Sequence, residues 1–232
     1  MSYCPPTQLI IKKQAVLGRL LSKIVLKLIR HGKTDWNRFK RLQGHLDIPI
    51  NEEGIKQAKA MAQLLDKQKI DHIYSSDLSR CRQTAAYLRL NHPEAVYHET
   101  EEFREGNAGI LGGKAIGNFM KSEIQSLSSL KQFFTHYGET MEDVYGRVWK
   151  KLDQVVKSLH SAKENRPVTV AVVSHGGPIR MILAKLMGYY PNRLNEAASE
   201  IKVNNCSVTT IEIQNGIWEL REYNFIDHLQ DV

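Results

Sequence analysis

The sequence predicts an α/β protein: a three-layer α/β/α sandwich around a mostly parallel central sheet. Three observations predict it. Short apolar strand patterns alternate with helical ones along most of the chain, as in sheets covered by helices on both faces. Val168 to Val173 is a nearly continuous apolar run, which a central parallel strand buried on both sides requires. The strands at Ile24 to Ile29 and Val168 to Val173 lead into two histidine-glycine turns, His31-Gly32 and His175-Gly176. Ligands of open α/β sheets bind beyond the carboxyl ends of the strands, so histidines 144 positions apart in sequence can face one pocket.

The elements follow in order. Ile24 to Ile29 (IVLKLI) is a strand, and a loop rich in Gly, Asn and Asp runs from it to Asn51. Asn51 is a good N-cap for a helix over Glu52 to Lys67, with Ile55, Ala58, Met61, Ala62 and Leu65 on its apolar face. Ile70 to Tyr74 is the next strand, Leu78 to Leu90 a helix, and Ala95 to His98 a third strand. Gly106, Gly109, Gly112 and Gly113 mark an irregular loop, and Phe119 to Phe134 reads as a short helix or lid. Met141 to Ala162 is a long amphipathic helix with Val144, Val148, Leu152, Val155, Val156 and Leu159 inward. Pro178 suits the first turn of the helix after Val173, and Gly188 its end. Ser207 to Ile213 and Ile217 to Tyr223, separated by Gln214-Asn215-Gly216, form a hairpin or a pair of edge strands.

At 232 residues, with 42% apolar and 25% charged content, the chain suits one sizeable soluble domain. Lys and Arg number 32 against 25 Asp and Glu, a formal charge of +7. Of that, +4 falls in the first 25 residues, so the remainder gives little sign of a nucleic-acid surface. Residues 1–23 form a basic amphipathic extension, in which Val16, Leu17, Leu20, Leu21 and Ile24 recur at helical spacing opposite Arg19 and Lys23. It lacks the apolar core of a secretory signal; it reads as a docked helix or arm, with organelle targeting as the alternative. Three cysteines, Cys4, Cys81 and Cys206, without metal-ligand spacing fit free thiols in a reducing, cytoplasmic setting, and no apolar run approaches an integral membrane span.

The chemistry gathers at strand ends. A histidine flanked by arginine suits an imidazole that attacks an anionic electrophile such as a phosphoryl group. Its ring must be neutral to offer a lone pair, and nearby cations both lower its pKa and cancel phosphate charge. Arg30 is such a cation beside His31, and Gly32 permits the backbone to turn past the strand so that both side chains share one site. Asn37 lies six residues beyond His31, in a loop able to fold back over the strand end. Arg80 falls in the first turn of a helix after another strand, where helix N-terminus and guanidinium both favour phosphate oxygens. Glu105, in Phe103-Arg104-Glu105-Gly106, offers a carboxyl group for proton transfer. Glu139 is a rival acid, the plainer reading being a solvated Glu139 beside a capping Thr140. Ser174 suits a backbone hydrogen bond, Cys81 a small buried hydrophobe, and the histidines other than 31 and 175, His45 among them, surface or capping roles.

The segments LIRHGKTDWN, RLQGHLDIPINEEG, YSSDLSRCRQTA, FREGNAGILGG, GET and VVSHGGPIR resemble, in order, the histidine phosphatase (phosphoglycerate mutase-like) superfamily, over roughly residues 24–213. The resemblance implies a histidine phosphatase domain over 24–232, with His31 as phosphate-accepting nucleophile and Arg30, Arg80 and His175 as the phosphate pocket. It further implies Glu105 as proton donor and Asn37, Gln43, Gly44 and Gly176 as substrate contacts. The expected activity is metal-independent, cofactor-free hydrolysis of a small anionic phosphomonoester, with no nucleic-acid partner. A mutase is the alternative, but glycolytic mutases of this family carry a longer segment where only Gly106 to Tyr137 lies here. An idle phospho-ligand binding module is the other alternative, and the full set of pocket residues speaks against it. Lys33, Asn107-Ala108 and Gly112 depart from the family pattern and bear on substrate choice. Lys33, Arg41 and Lys114 are expected at the rim of the pocket.

Overall fold

Six strands form the sheet of the computed structural model, which describes residues 22–115, 138–161, 166–230 and 232. They are β1 (Ile24–Arg30), β2 (His72–Ser76), β3 (Val96–Thr100), β4 (Val168–Ser174), β5 (Val208–Gln214) and β6 (Ile217–Phe225). The spatial order is β3-β2-β4-β1-β5-β6. Neighbours among β3, β2, β4 and β1 pair in parallel, while β5 runs antiparallel to both β1 and β6. The described helices are α1 (Asp35–Arg38), α2 (Glu52–Leu65), α3 (Ser79–Asn91), α4 (Met141–Ser161), α5 (Gly176–Leu186) and α6 (Leu194–Glu200).

Alternation along the strands supplies the two core faces. Leu26 and Leu28 of β1 and Val170 and Val172 of β4 pack with Val148, Leu152, Ile182 and Ala197 of the α4–α6 layer. Ile29, Ala171 and Val173 point the other way, against Met61, Leu65, Ala85 and Leu88 of α2 and α3. Three layers result, as the sequence predicts. Parallel register pairs Arg30 with Ser174, and the His31 N–H continues the ladder to the Ser174 carbonyl at 2.9 Å. The residues that follow both strands therefore emerge side by side at the carboxyl edge of the sheet.

Local chemistry fixes the helix starts. The Asn51 side chain accepts the Gly54 N–H at 2.9 Å, and Thr140 and Asp143 bond reciprocally ahead of α4. Pro178 lies in the first turn of α5, and Gly188 follows its end with φ of 79°. β2 sits two residues later than expected. Pairing with β4 extends it through Ser75 and pairing with β3 through Ser76, both hydroxyls being bonded internally, while Ile70 is buried before it. Two short helices lie where none was expected: α1, held by a Thr34–Asn37 capping box, and α6. The lid expected over Phe119 to Phe134 and all but the end of the N-terminal extension lie outside the described residues. Cys81 and Cys206 are buried free thiols, and no described helix is long and apolar enough to cross a membrane.

Candidate active site

β1 delivers His31 to the carboxyl edge of the sheet, 2% exposed. Its Nδ1 lies 2.7 Å from the Gly32 carbonyl oxygen, which fixes the proton on Nδ1 and leaves the Nε2 lone pair free. Nε2 makes no hydrogen bond among the described residues. Burial, reinforced by the charges of Arg30 and Arg80, holds the imidazole pKa well below its ordinary value, so the ring is neutral at pH 7. Asn205 Nδ2 donates to the His31 carbonyl and the Gly32 N–H donates to Thr84 Oγ1, both at 2.9 Å, clamping the loop from two sides. Gly32 is needed for a different reason than its sequence setting suggests. Its backbone is not left-handed; instead a Cβ there would meet the Gly54 carbonyl oxygen of α2 at 2.6 Å.

Two guanidinium groups face this imidazole. Arg80, fully buried in the first turn of α3, donates to the carbonyls of Leu46 at 2.8 Å and Gly44 at 2.7 Å, and from Nε to His175 Nδ1 at 3.1 Å. Arg30 donates from Nη1 to the Val203 carbonyl at 2.6 Å, while its buried Nε has no partner among the described residues. An unpartnered buried donor costs on the order of 1–3 kcal/mol, a cost that an incoming acceptor would relieve. Burial lowers the Arg30 pKa to about 10, the Glu105 carboxylate opposing it, and the group stays cationic at neutral pH.

His175 caps the end of β4, its ring centroid 5.2 Å from that of His31. It accepts from Arg80 at Nδ1 and therefore donates from Nε2 to Ser76 Oγ at 2.9 Å, with Cys81 Sγ 3.3 Å from the same nitrogen. Burial and the nearby arginines keep it neutral. With both nitrogens engaged, the ring acts on the pocket through Arg80. Ser174 donates to the Phe103 carbonyl at 2.7 Å, the backbone role expected of it.

Glu105 reaches the N-terminus of α5, where its Oε1 accepts the N–H groups of Gly177 and Gly106 at 3.0 Å each. A Cβ on Gly177 would stand 2.2 Å from that oxygen, so the approach requires glycine. Glu139, the rival acid, is not solvated. It is half-buried, accepts from Arg147 at 2.7 and 2.8 Å and from the Asn107 N–H at 2.9 Å. Burial pushes its carboxyl up, but His45 and these donors outweigh burial and hold it well below the usual range. A group so firmly ionised is a poor proton donor. The capping half of the expectation stands: the Asp143 N–H donates to Thr140 Oγ1 at 3.1 Å.

The remaining expected contacts divide. The Asn37 oxygen is used by Thr34 in the α1 capping box, with Asn205 Nδ2 3.4 Å away. Gln43 is buried with no partner for its Oε1 among the described residues, Gly44 supplies a carbonyl to Arg80, and a Cβ on Gly176, which opens α5, would lie 3.7 Å from Arg30 Nε. Lys33 does not stand free at the rim. Its ammonium pairs with Glu53 at 2.7 Å, and with Arg30, Gln57 and Asn205 it lines a cleft of about 540 Å³. Arg41 is bonded to the Gly113 carbonyl at 2.9 Å. His45, read as a surface or capping residue, instead donates to the Glu105 carbonyl at 2.9 Å. Ser76, Asn205, Gly177 and Arg147 were also missed; for His45 the preceding Gln43-Gly44 motif was the available signal.

Comparison with known proteins identifies the family. The family model described as histidine phosphatase superfamily (branch 1) matches residues 26–226. A metal-independent phosphoserine phosphatase of Arabidopsis thaliana is 30% identical, over 88% of this chain and 83% of its own. Phosphoglycerate mutase-like protein 4 of the same plant is 28% identical, covering 88% and 86%. The solved mycobacterial glucosyl-3-phosphoglycerate phosphatase in complex with VO3 superposes with a TM-score of 0.72 at 28% identity, covering 87% of this chain and 99% of that one.

Proposed function

This chain belongs to the histidine phosphatase superfamily, branch 1, and on that premise we propose that it hydrolyses small phosphomonoesters through a phosphohistidine on His31. The observation that carries the reading is a neutral His31 whose proton is pinned on Nδ1, with Nε2 open beside the charges of the buried Arg80 and the half-buried Arg30. Substrate phosphate docks on Arg30 Nε and the unused donors of Arg80, while His175 holds Arg80 in place. The Nε2 lone pair attacks phosphorus as the P–O bond to the alcohol breaks, and Glu105 gives its proton to the departing oxygen. Water then attacks the phosphorus, Glu105 takes its proton, and the N–P bonding pair returns to Nε2. The arginines neutralise charge on the equatorial oxygens, so no metal is needed; the relative named metal-independent phosphoserine phosphatase supports this. The relatives' names point to phosphorylated small metabolites as the substrate class.

Rapid quenching within one turnover tests the mechanism. Acid-labile, base-stable phosphate should appear on the wild-type protein and be absent from His31→Ala, which should have no turnover. Phosphate trapped on that variant would overturn the assignment of the nucleophile. Exhaustive chelation should leave the rate unchanged, and inorganic phosphate should be released without any bisphosphorylated primer.

A further inference from the structure

One guanidinium collects the backbone of the segment that carries Glu105. Arg147, projecting from α4, donates from Nη1 to the carbonyls of Glu102 and Arg104 at 2.8 Å each, and from Nη2 to that of Glu105 at 2.9 Å. The rest of its fork is held by the Glu139 carboxylate, which also takes the Asn107 N–H just beyond the acid. A second donor reaches the same Glu105 carbonyl: His45 Nε2, at 2.9 Å, with the Glu139 carboxylate 3.6 Å away.

His45 lies between the two residues whose carbonyls hold Arg80, Gly44 and Leu46. In the same loop, Asp47 accepts the Ser79 N–H at 2.6 Å and its hydroxyl at 2.7 Å, tying the loop to the start of α3. One short stretch, residues 43–47, thus grips the phosphate-binding arginine with its backbone and the acid's backbone with its imidazole. The two groups come from different elements, 25 positions apart in sequence, yet must meet the same substrate.

We propose that His45 and Arg147 are positioning residues that set Glu105 relative to Arg80, aligning the proton donor with the leaving oxygen of an arginine-bound phosphate. The inference rests on Glu105 being that donor. Rotating the Glu105 peptide swings its Cα and carboxyl, and a misplacement of about 1 Å can cost on the order of 100-fold in rate. Arg147 contacts three carbonyls, those of Glu102, Arg104 and Glu105, that no lysine could span, whereas His45 contributes a single N–H that a glutamine amide can replace.

The experiment compares phenyl phosphate, whose phenolate needs protonation, with p-nitrophenyl phosphate, whose leaving group needs little. His45→Ala should lose about 10-fold in kcat on phenyl phosphate and less than about threefold on p-nitrophenyl phosphate, with KM and Tm nearly unchanged. His45→Gln should restore most of the loss, and Arg147→Lys should show the same leaving-group bias more strongly. In a Glu105→Gln background, His45→Ala should have no further effect, because the group it positions is gone. Equal losses on both substrates, no loss on either, or full additivity with Glu105→Gln would overturn the inference. If Glu105→Gln alone shows no leaving-group bias, the assignment of the acid fails first and the inference falls with it.

Discussion

A single missing methyl group decides whether a carboxylate can sit against the start of α5. Alanine at 177 would place a Cβ 2.2 Å from Glu105 Oε1, so the carboxyl would have to leave the helix end. Gly177→Ala should lower kcat by about 10-fold or more, a large part of what general acid catalysis supplies, while circular dichroism and Tm stay close to wild type. A variant with undiminished kcat would show that the contact does not serve the reaction. His31, Arg30, Arg80, His175 and Glu105 were legible because each falls at a strand end, a helix start or just ahead of a glycine loop. His45, Ser76, Asn205 and Arg147 were not, since they act through backbone carbonyls or a buried hydroxyl of residues far away in sequence, and such bonds leave no spacing pattern. Glu139 was misjudged for the same reason: its ionisation comes from His45, Arg147 and the Asn107 N–H, which only the fold brings together.

The first turn of α2 presses on the loop that follows β1. A Cβ on Gly54 would lie 2.2 Å from the Lys33 carbonyl oxygen and 2.7 Å from the Lys33 nitrogen, both backbone atoms. Gly54→Ala should therefore cost about 1–3 kcal/mol in urea unfolding and also reduce kcat, because the loop it displaces holds His31. Asn51→Ala removes the cap to the Gly54 N–H and an exposed bond from its amide to Asp35, and should cost about 1 kcal/mol with kcat per folded molecule retained. If both variants lose stability without loss of kcat, the contact is a packing matter alone. The long elements were legible from periodicity and caps, whereas α1 and α6 were not. Four and seven residues give a helical period no room to show, and α1 is closed by Thr34 and Asn37 rather than by an apolar face. The later position of β2 follows from pairing with both β3 and β4, a property of the assembled sheet.

For the molecule as a whole, the two fully buried neutral imidazoles lead the response to acid. His31 and His175 both have pKa values well below 6.5 when folded, chiefly through burial, whereas the unfolded chain takes up protons near 6.5. The unfolded state then binds more protons, so stability falls as pH drops below 6.5 and goes on falling toward the folded values. The slope from the two groups is about half its limit at pH 6.5 and approaches that limit, about 2.7 kcal/mol per pH unit, further below it. Urea midpoints should fall between pH 6.5 and 5.5, and His31→Ala should make that fall shallower, with His175 and the partly buried His92, His98, His160 and His228 supplying the rest; an unchanged midpoint would refute it. The family and the three layers were legible because motifs at strand ends report both chemistry and topology.

The sheet order also sets when the protein can first work. β1 is the earliest described strand, yet its partners β4 and β5 both come from the last third of the chain. While a ribosome is still making α4, the apolar IVLKLI segment has neither neighbour, and the peptide that ends in His31 has nothing to stack beside. Sheets closed by such distant pairings fold slowly, and an unpaired apolar strand invites association with other chains. Catalytic competence therefore arrives late in the life of each nascent molecule, and a chain cut short before Val168 should lack both enzyme and fold.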